Sequence, residues 1–380
     1  MNKQVRKDDD VAVMGASAAG LYSAGLLART GRRVSVFEAA PEIDPLPRTL
    51  IVTDSFRTLM GQIGDQSIVN RIKMFELFAN GRAATVSLSR PDLVIERSTL
   101  IRNLTARAES DGARIFCDHR FLDLQPKGPG LDFTLATNSH TVRSSARVVI
   151  GAEGAFSTVA RSAGFEDVTK APLVQAVVDL PRDMSPSITR VWFLPEETPY
   201  FYWLVPFSET RGVLGLIGED QAQTRGLLER FLDKKGFSGA EFQDGLTPVY
   251  NRWLPNHRKI GNGDVYLVGD AAGHVKVTTV GGIVTGFRGV QGVVEAIVKG
   301  RPGRLLRRLR AELNRHLFIR KLLHRFSQDD YVSVLGLLNP GTRKSFGSIT
   351  RDETGRLLLR IAVKQPAFVL LCLRALLLGR

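Results

Sequence analysis

The sequence predicts an α/β chain in two lobes, one wound around parallel strands and the other a mostly antiparallel β-sheet, followed by a helical C-terminal extension. Three observations carry this. A strand–turn–helix–strand unit opens the chain at 11–38, two later apolar strands near 146–151 and 264–268 run into glycine-containing turns, and 199–218 alternates with the period of a hairpin. The parallel lobe is expected at 1–55, 93–172 and 260–300, the antiparallel lobe at 56–92 and 173–259, and the extension at 301–380. With 380 residues, 43% apolar and 24% charged, the chain is long enough for one large domain or two lobes sharing a core. Neither its composition nor any internal period points to disorder or a solenoid.

In the opening unit, Val11–Met14 reads as a short buried strand and Gly15-Ala16-Ser17-Ala18-Ala19-Gly20 as the turn. A helix then runs to Gly31, and the strand Val34–Phe37 ends at Glu38. This is a Rossmann-type unit, which sets a pyrophosphate on a helix N-terminus. Gly15 permits the tight turn, and the small Ser17 and Ala18 let phosphates approach backbone N–H groups. Gly20 lets the helix pack closely on the strand, and Glu38 is placed to accept hydrogen bonds from an adenosine ribose. Ser17 stands where the usual G-x-G-x-x-G pattern has its second glycine. A carboxylate at 38 disfavours a 2′-phosphate, so FAD or NAD is expected here rather than NADP.

Two further segments refine this. Residues 146–161 read as an apolar strand followed by Gly151-Ala152-Glu153-Gly154, Ser157 and Arg161. Residues 264–289 read as a strand into Gly269-Asp270-Ala271-Ala272, with a helix beginning around Gly281-Gly282-Ile283. In this order the three segments resemble the large flavoprotein family that includes aromatic-ring hydroxylases, flavin halogenases and geranylgeranyl reductases. The resemblance implies FAD as the cofactor. By it, Asp270 would hold a ribitol hydroxyl, and the helix starting after Gly282 would aim N–H groups at the flavin N1/C2=O edge. Arg97, in VIERSTLIRNL, matches an arginine that the family places early in a helix beside the flavin.

There are departures. Glu153-Gly154 stands where the family usually has Asp-Gly, which changes the reach of the carboxylate into the site. Val277 replaces a proline, and Val280-Gly281-Gly282-Ile283 replaces a Gly-Glu-Gly-Ile-like run, so no acid role carries over from the missing Glu.

Phe201, Trp203 and Pro206, within PYFYWLVPF, resemble the aromatic-x-Trp-x-x-Pro segment that geranylgeranyl reductases place on the substrate side of the flavin. The other reading is a hairpin with a well-filled core. An apolar aromatic pocket suits an isoprenoid chain, which offers few hydrogen bonds. The reaction implied is hydride transfer from reduced flavin to an isoprenoid double bond, with NAD(P)H or another reductant as electron donor. A flavin monooxygenase or halogenase, and a non-catalytic flavin-binding or membrane-interaction scaffold, are the alternatives. No catalytic acid or base is assigned, because the cofactor carries such chemistry. His274 reads as a loop histidine with a structural bond, and His119 and His140 as surface positions.

The net charge of +14 favours an anionic partner. Nine Lys or Arg and one acidic residue, Glu312, lie between Arg301 and Arg325, with Leu305, Leu309, Leu313 and Leu317 on one stripe. Arg356, Arg360 and Lys364 follow at four-residue spacing, and then the apolar run Pro366–Leu378, broken by Arg374. A bilayer span needs about 20 apolar residues, so this run is too short to cross. Helices docked on the core and helices at an anionic membrane remain open, and the unpaired cations favour the membrane. A nucleic-acid partner is not expected, since basic–aromatic interleaving is missing. Cys117 and Cys372 lack metal-ligand spacing, so neither a metal nor a disulfide is expected. The polar first ten residues suggest no signal peptide, which places the protein in the cytoplasm or peripherally on the cytoplasmic membrane face.

Overall fold

The structure is a computed structural model that describes residues 8–353, 355, 360 and 365–378. The polar N-terminal residues 1–7, and Arg356 and Lys364 of the basic row, lie outside the described residues. The chain divides into two units. The first comprises the residues up to Arg48, Arg97–Thr169 and Pro248–Asn314, and the second Thr49–Glu96, Lys170–Thr247 and Arg315 onward.

The first unit is built on a sheet ordered His257–Ile260, Gly263–Leu267, Thr141–Gly151, Asp9–Met14, Val34–Phe37, Arg114–Phe116. The last five strands run parallel, with Val13 opposite Val36 on one side and Ile150 on the other. Buried on both faces, these strands carry near-continuous apolar runs such as Val11-Ala12-Val13-Met14. The helix Ala18–Ala28 meets the helix Ile283–Lys299, where the rings of Tyr22 and Phe287 pack edge-on at 5.0 Å and Gln291 donates to the Tyr22 hydroxyl at 3.1 Å. A second apolar cluster gathers Phe37, Phe116, Leu131, Phe133, Val149 and Val265. Each such side chain contributes about 2 kcal/mol when fully buried.

The second unit is an eight-stranded sheet ordered Glu241–Pro248, Lys170–Asp179, Arg211–Ile217, Tyr202–Pro206, Ile188–Trp192, Ile68–Ala79, Arg82–Glu96, Thr49–Val52. From Lys170–Asp179 to Thr49–Val52 it is antiparallel, except where Ile188–Trp192 lies parallel to Ile68–Ala79. On one face Tyr202, Leu204, Leu214 and Trp192 meet Leu227, Leu228 and Phe231 of the helix Gln221–Lys235. That helix starts at an Asp220 cap, which accepts from the Gln223 N–H, and ends at the left-handed Gly236. Elsewhere in this unit Ala79, Ala84 and Val86 pack with Phe326, Tyr331, Leu335, Leu338 and Ala375.

Residues 301–380 therefore do not stand apart as an extension. Those up to Asn314 belong to the first unit, and the described residues beyond belong to the second. The physical reason is apolar burial: the helices Gln328–Leu337 and Pro366–Leu378 both place side chains in the cluster around Ala79 and Ala84. Two charged residues of the basic helix Arg304–Leu323 are engaged inside the protein. Glu312 accepts from Arg288 at 2.6 Å, and the buried Arg320 donates to the Pro199 carbonyl at 2.8 Å while lying 4.3 Å from the centre of the Tyr200 ring. Among the described residues no helix is long and apolar enough to cross a membrane.

Candidate functional site

In the first unit the opening turn is shaped by clashes that only glycine avoids. Gly15 has φ +98°, and a Cβ there would come within 2.8 Å of the Ala152 carbonyl oxygen. A Cβ on Gly20 would come within 2.1 Å of the Gly15 carbonyl oxygen, so Gly20 is what lets the helix begin directly behind the turn. Ser17 is the N-cap of this helix, its hydroxyl accepting from the Gly20 N–H at 3.2 Å, and Ala18 is the first helical residue. Glu38 reaches back to the turn: one carboxylate oxygen accepts from the Ala16 N–H at 2.7 Å and the other from the Ala40 N–H at 3.0 Å.

Gly15, Ser17, Glu38, Arg97 and Glu153 line one cleft of about 450 Å³. Its remaining wall comes from residues no motif marks, among them Ile43, Arg120 and Phe156. His119 belongs here too, which corrects its expected surface position: its N–H donates to the Glu38 carbonyl at 2.8 Å and its ring lies 5.9 Å from that of Phe37. No local signal marks it: what brings it beside Glu38 is the pairing of Arg114–Phe116 with Val34–Phe37, two strands far apart in the sequence. His140 is exposed, as expected. Glu153 points its carboxylate at the helix Thr158–Ser162, accepting from the Ser157 hydroxyl at 2.7 Å and the Val159 N–H at 3.0 Å. Burial pushes its pKa up, and these hydrogen bonds oppose the shift. Gly154 follows at φ +81°.

A second group gathers at the start of the helix Ile283–Lys299. Gly282 is its N-cap, and a Cβ there would lie 3.1 Å from an Asp270 carboxylate oxygen. Asp270 thus sits by a helix N-terminus, where the macrodipole favours negative charge. The carboxylate reaches solvent yet is set deeply enough that desolvation raises its pKa, with Arg97 pulling it down. Gly269, at φ +60°, lies against Ala19, where an added Cβ would meet the Ala19 Cβ at 2.9 Å. Gly281 accepts from the Lys276 N–H at 3.1 Å, closing the loop before Ile283, and Val280 within it holds φ +48°. Arg97 opens its helix, Arg97–Ser110, with its N–H on the Arg48 carbonyl at 2.9 Å. Burial and the nearby Arg97 charge push the Arg48 pKa down, and no motif points to Arg48.

In the second unit Phe201 and Trp203 come together, ring centres 6.1 Å apart. Gly215 on the paired strand makes room for them, since a Cβ there would lie 2.7 Å from Trp203 Cζ2. Pro206 does not join them. Strand alternation puts it on the other face of Tyr202–Pro206, with Tyr202 and Leu204.

The turn, the free space above it, the carboxylate after the second strand and the cleft's size fit the adenosine and pyrophosphate of a dinucleotide. Residues 8–299 match the family described as FAD binding domain. The chain belongs to this family. It is an FAD-dependent oxidoreductase. Among its relatives, this FAD-binding chain is 30% identical to digeranylgeranylglycerophospholipid reductase 2 of Methanothermobacter thermautotrophicus, across 95% of the chain and 97% of that protein. It is 28% identical to digeranylgeranylglycerophospholipid reductase of Methanothrix thermoacetophila, across 84% of the chain and 89% of that protein. Among solved structures, a geranylgeranyl bacteriochlorophyll reductase-like protein of Thermoplasma acidophilum superposes with TM-score 0.81 at 19% identity, covering 96% of this chain and 98% of that one. p-Nitrophenol 4-monooxygenase PnpA of Pseudomonas putida does so with TM-score 0.63 at 16% identity, covering 99% and 100%. These two share the fold.

Proposed function

We propose that this flavoenzyme reduces carbon–carbon double bonds in the isoprenoid chains of a lipid. The observation that carries the reading is the 30% identity to a digeranylgeranylglycerophospholipid reductase along nearly the full length of both chains. The bound flavin supplies the two-electron reduction, and the protein's residues bind, orient and exclude water. In this reading the first unit is the cofactor lobe and the second the substrate lobe.

Within the Gly15–Gly20 turn, the N–H groups of Ser17, Ala18 and Ala19 take the pyrophosphate, since those of Gly15, Ala16 and Gly20 donate to Phe37, Glu38 and Ser17. Glu38, already fixed to Ala16 and Ala40, takes the ribose. Asp270 holds a ribitol hydroxyl, and the helix start at Gly281-Gly282-Ile283 presents N–H groups that favour negative charge at the flavin edge. Arg97 adds a positive charge there, while Glu153 and Gly154 shape the floor through the helix Thr158–Ser162. Phe201 and Trp203 form an apolar wall for the chain being reduced, with Pro206 behind them in the same strand. NAD(P)H or another reductant donates the electrons, and solvent or a further group donates the proton. The work is done in the cytoplasm, with peripheral contact to an anionic membrane that holds the substrate.

The test is anaerobic. Purified protein is reduced with NADPH or dithionite and mixed with a geranylgeranyl lipid. Re-oxidation together with saturation of the chain is expected. Re-oxidation by air alone, accelerated by an apolar or aromatic compound, would replace the reading with a monooxygenase or halogenase. Purified protein that neither contains nor takes up FAD would leave only a scaffold.

A further inference from the structure

The helix Pro366–Leu378 turns Leu371, Cys372 and Ala375 into the apolar cluster around Ala79 and Ala84. Its other side is also apolar. Leu370, Leu373 and Leu377 are 66%, 48% and 83% exposed, and their spacing of three and four residues puts them on one face. Arg374 lies in that face and, with His324 and Arg325, lines a depression of about 260 Å³. Of the two carboxylates lining it, Glu196 and Asp330, the second is engaged in the cap of the helix Gln328–Leu337, accepting from Ser327. Arg325 also donates to the Leu376 carbonyl at 2.6 Å, so a second guanidinium is fastened beside the leucines.

We propose that this leucine face, bordered by Arg325 and Arg374, is the surface by which the chain docks on an anionic phospholipid bilayer. A helix of 13 residues is about 20 Å long, short of the roughly 30 Å hydrocarbon core, so it lies in the interfacial plane and does not cross. Leu370, Leu373 and Leu377 enter the acyl boundary while the guanidinium groups reach the lipid phosphates. Charge decides against a second copy of the chain as the occupant. Pairing two such faces would set the same cations against one another in a protein of net charge +14, whereas acidic lipid neutralises them. The inference deepens the lipid-substrate reading above, but its test reads binding and not turnover, so either can fail alone.

The experiment is flotation of the full chain with phosphatidylcholine vesicles, with and without phosphatidylglycerol. The wild type floats with the acidic vesicles and not with the neutral ones, and added salt weakens binding. The double variant Leu370→Ser/Leu377→Ser and the single variant Arg374→Glu each lower the partition coefficient about tenfold or more, with flavin absorbance and melting curve unchanged. Failure of the wild type to float, or equal flotation of both variants, overturns the proposal. So does a wild-type dimer that the leucine variant converts to monomer with no vesicle binding by either, which assigns the face to a second copy.

Discussion

His274 is 1% exposed, lies 5.3 Å from the Trp253 ring in a stacked arrangement, and has no hydrogen-bond partner on either ring nitrogen. It presses so closely on the helix Ile283–Lys299 that a Cβ on Gly289 would sit 2.2 Å from its Nδ1. The expected structural bonds are made by its main chain, whose N–H donates to the Gly269 carbonyl at 3.1 Å and whose carbonyl accepts from the Thr285 hydroxyl at 2.6 Å, while the ring is held by packing. Burial pushes its pKa down to about 4. The unfolded chain, with an ordinary histidine, therefore binds a proton that the folded chain refuses between about pH 6.5 and pH 4. His274's contribution to stability is thus fully present above pH 6.5 and is lost as the pH falls through this window, by roughly 2 kcal/mol at pH 5. Denaturant titrations of His274→Leu against wild type should show a flatter pH dependence, and an unchanged slope would refute the account. Val280 offers a second residue-level test, because a β-branched side chain at φ +48° is strained. Val280→Gly should stabilise the protein by about 1 kcal/mol, read as a higher melting temperature.

Among the elements, the Trp203 strand is where a small change should separate cofactor from substrate. Gly215→Val would place a side chain where the indole lies, within a sheet whose far face is closed by the helix Gln221–Lys235. The indole must leave its place, so flavin content should hold while re-oxidation by a prenyl lipid slows about tenfold or more; equal loss of both would mean a general folding defect. The elements also differ in how far they could be foreseen. The Gly15–Gly20 turn, Glu38, the helix at Arg97 and the helix start at Ile283 were legible, because each is written in a short run of residues with its own steric reason. Arg120 was not, because what places it is a sheet order joining Val34–Phe37 to Arg114–Phe116, a pairing across more than seventy residues. The motif names Phe201, Trp203 and Pro206 together, but it does not show that alternation sends Trp203 and Pro206 to opposite faces of the strand.

At the scale of the whole molecule, the C-terminal part is structural whatever else it does. Its Phe326, Tyr331, Leu335 and Ala375 complete the cluster with Ala79, Ala84 and Val86, and Thr53 and Asp92 bond to Asp352 and Arg351. Removing 315–380 should leave an aggregating chain, checked by size-exclusion chromatography; a monodisperse, flavin-loaded fragment would contradict this. The tail's leucines signalled a helix but not where it packs, because a partner more than two hundred residues away leaves no local mark.

The assembly of the first unit from three separated stretches has a consequence for the ribosome. The strand at Asp9–Met14 leaves the exit tunnel well before its neighbour Thr141–Gly151 and the helix at Ile283. A nascent chain therefore cannot hold its coenzyme until most of it has been translated. Scarcity of riboflavin would thus be felt after synthesis, as an accumulation of finished but unloaded polypeptide exposed to quality-control proteases.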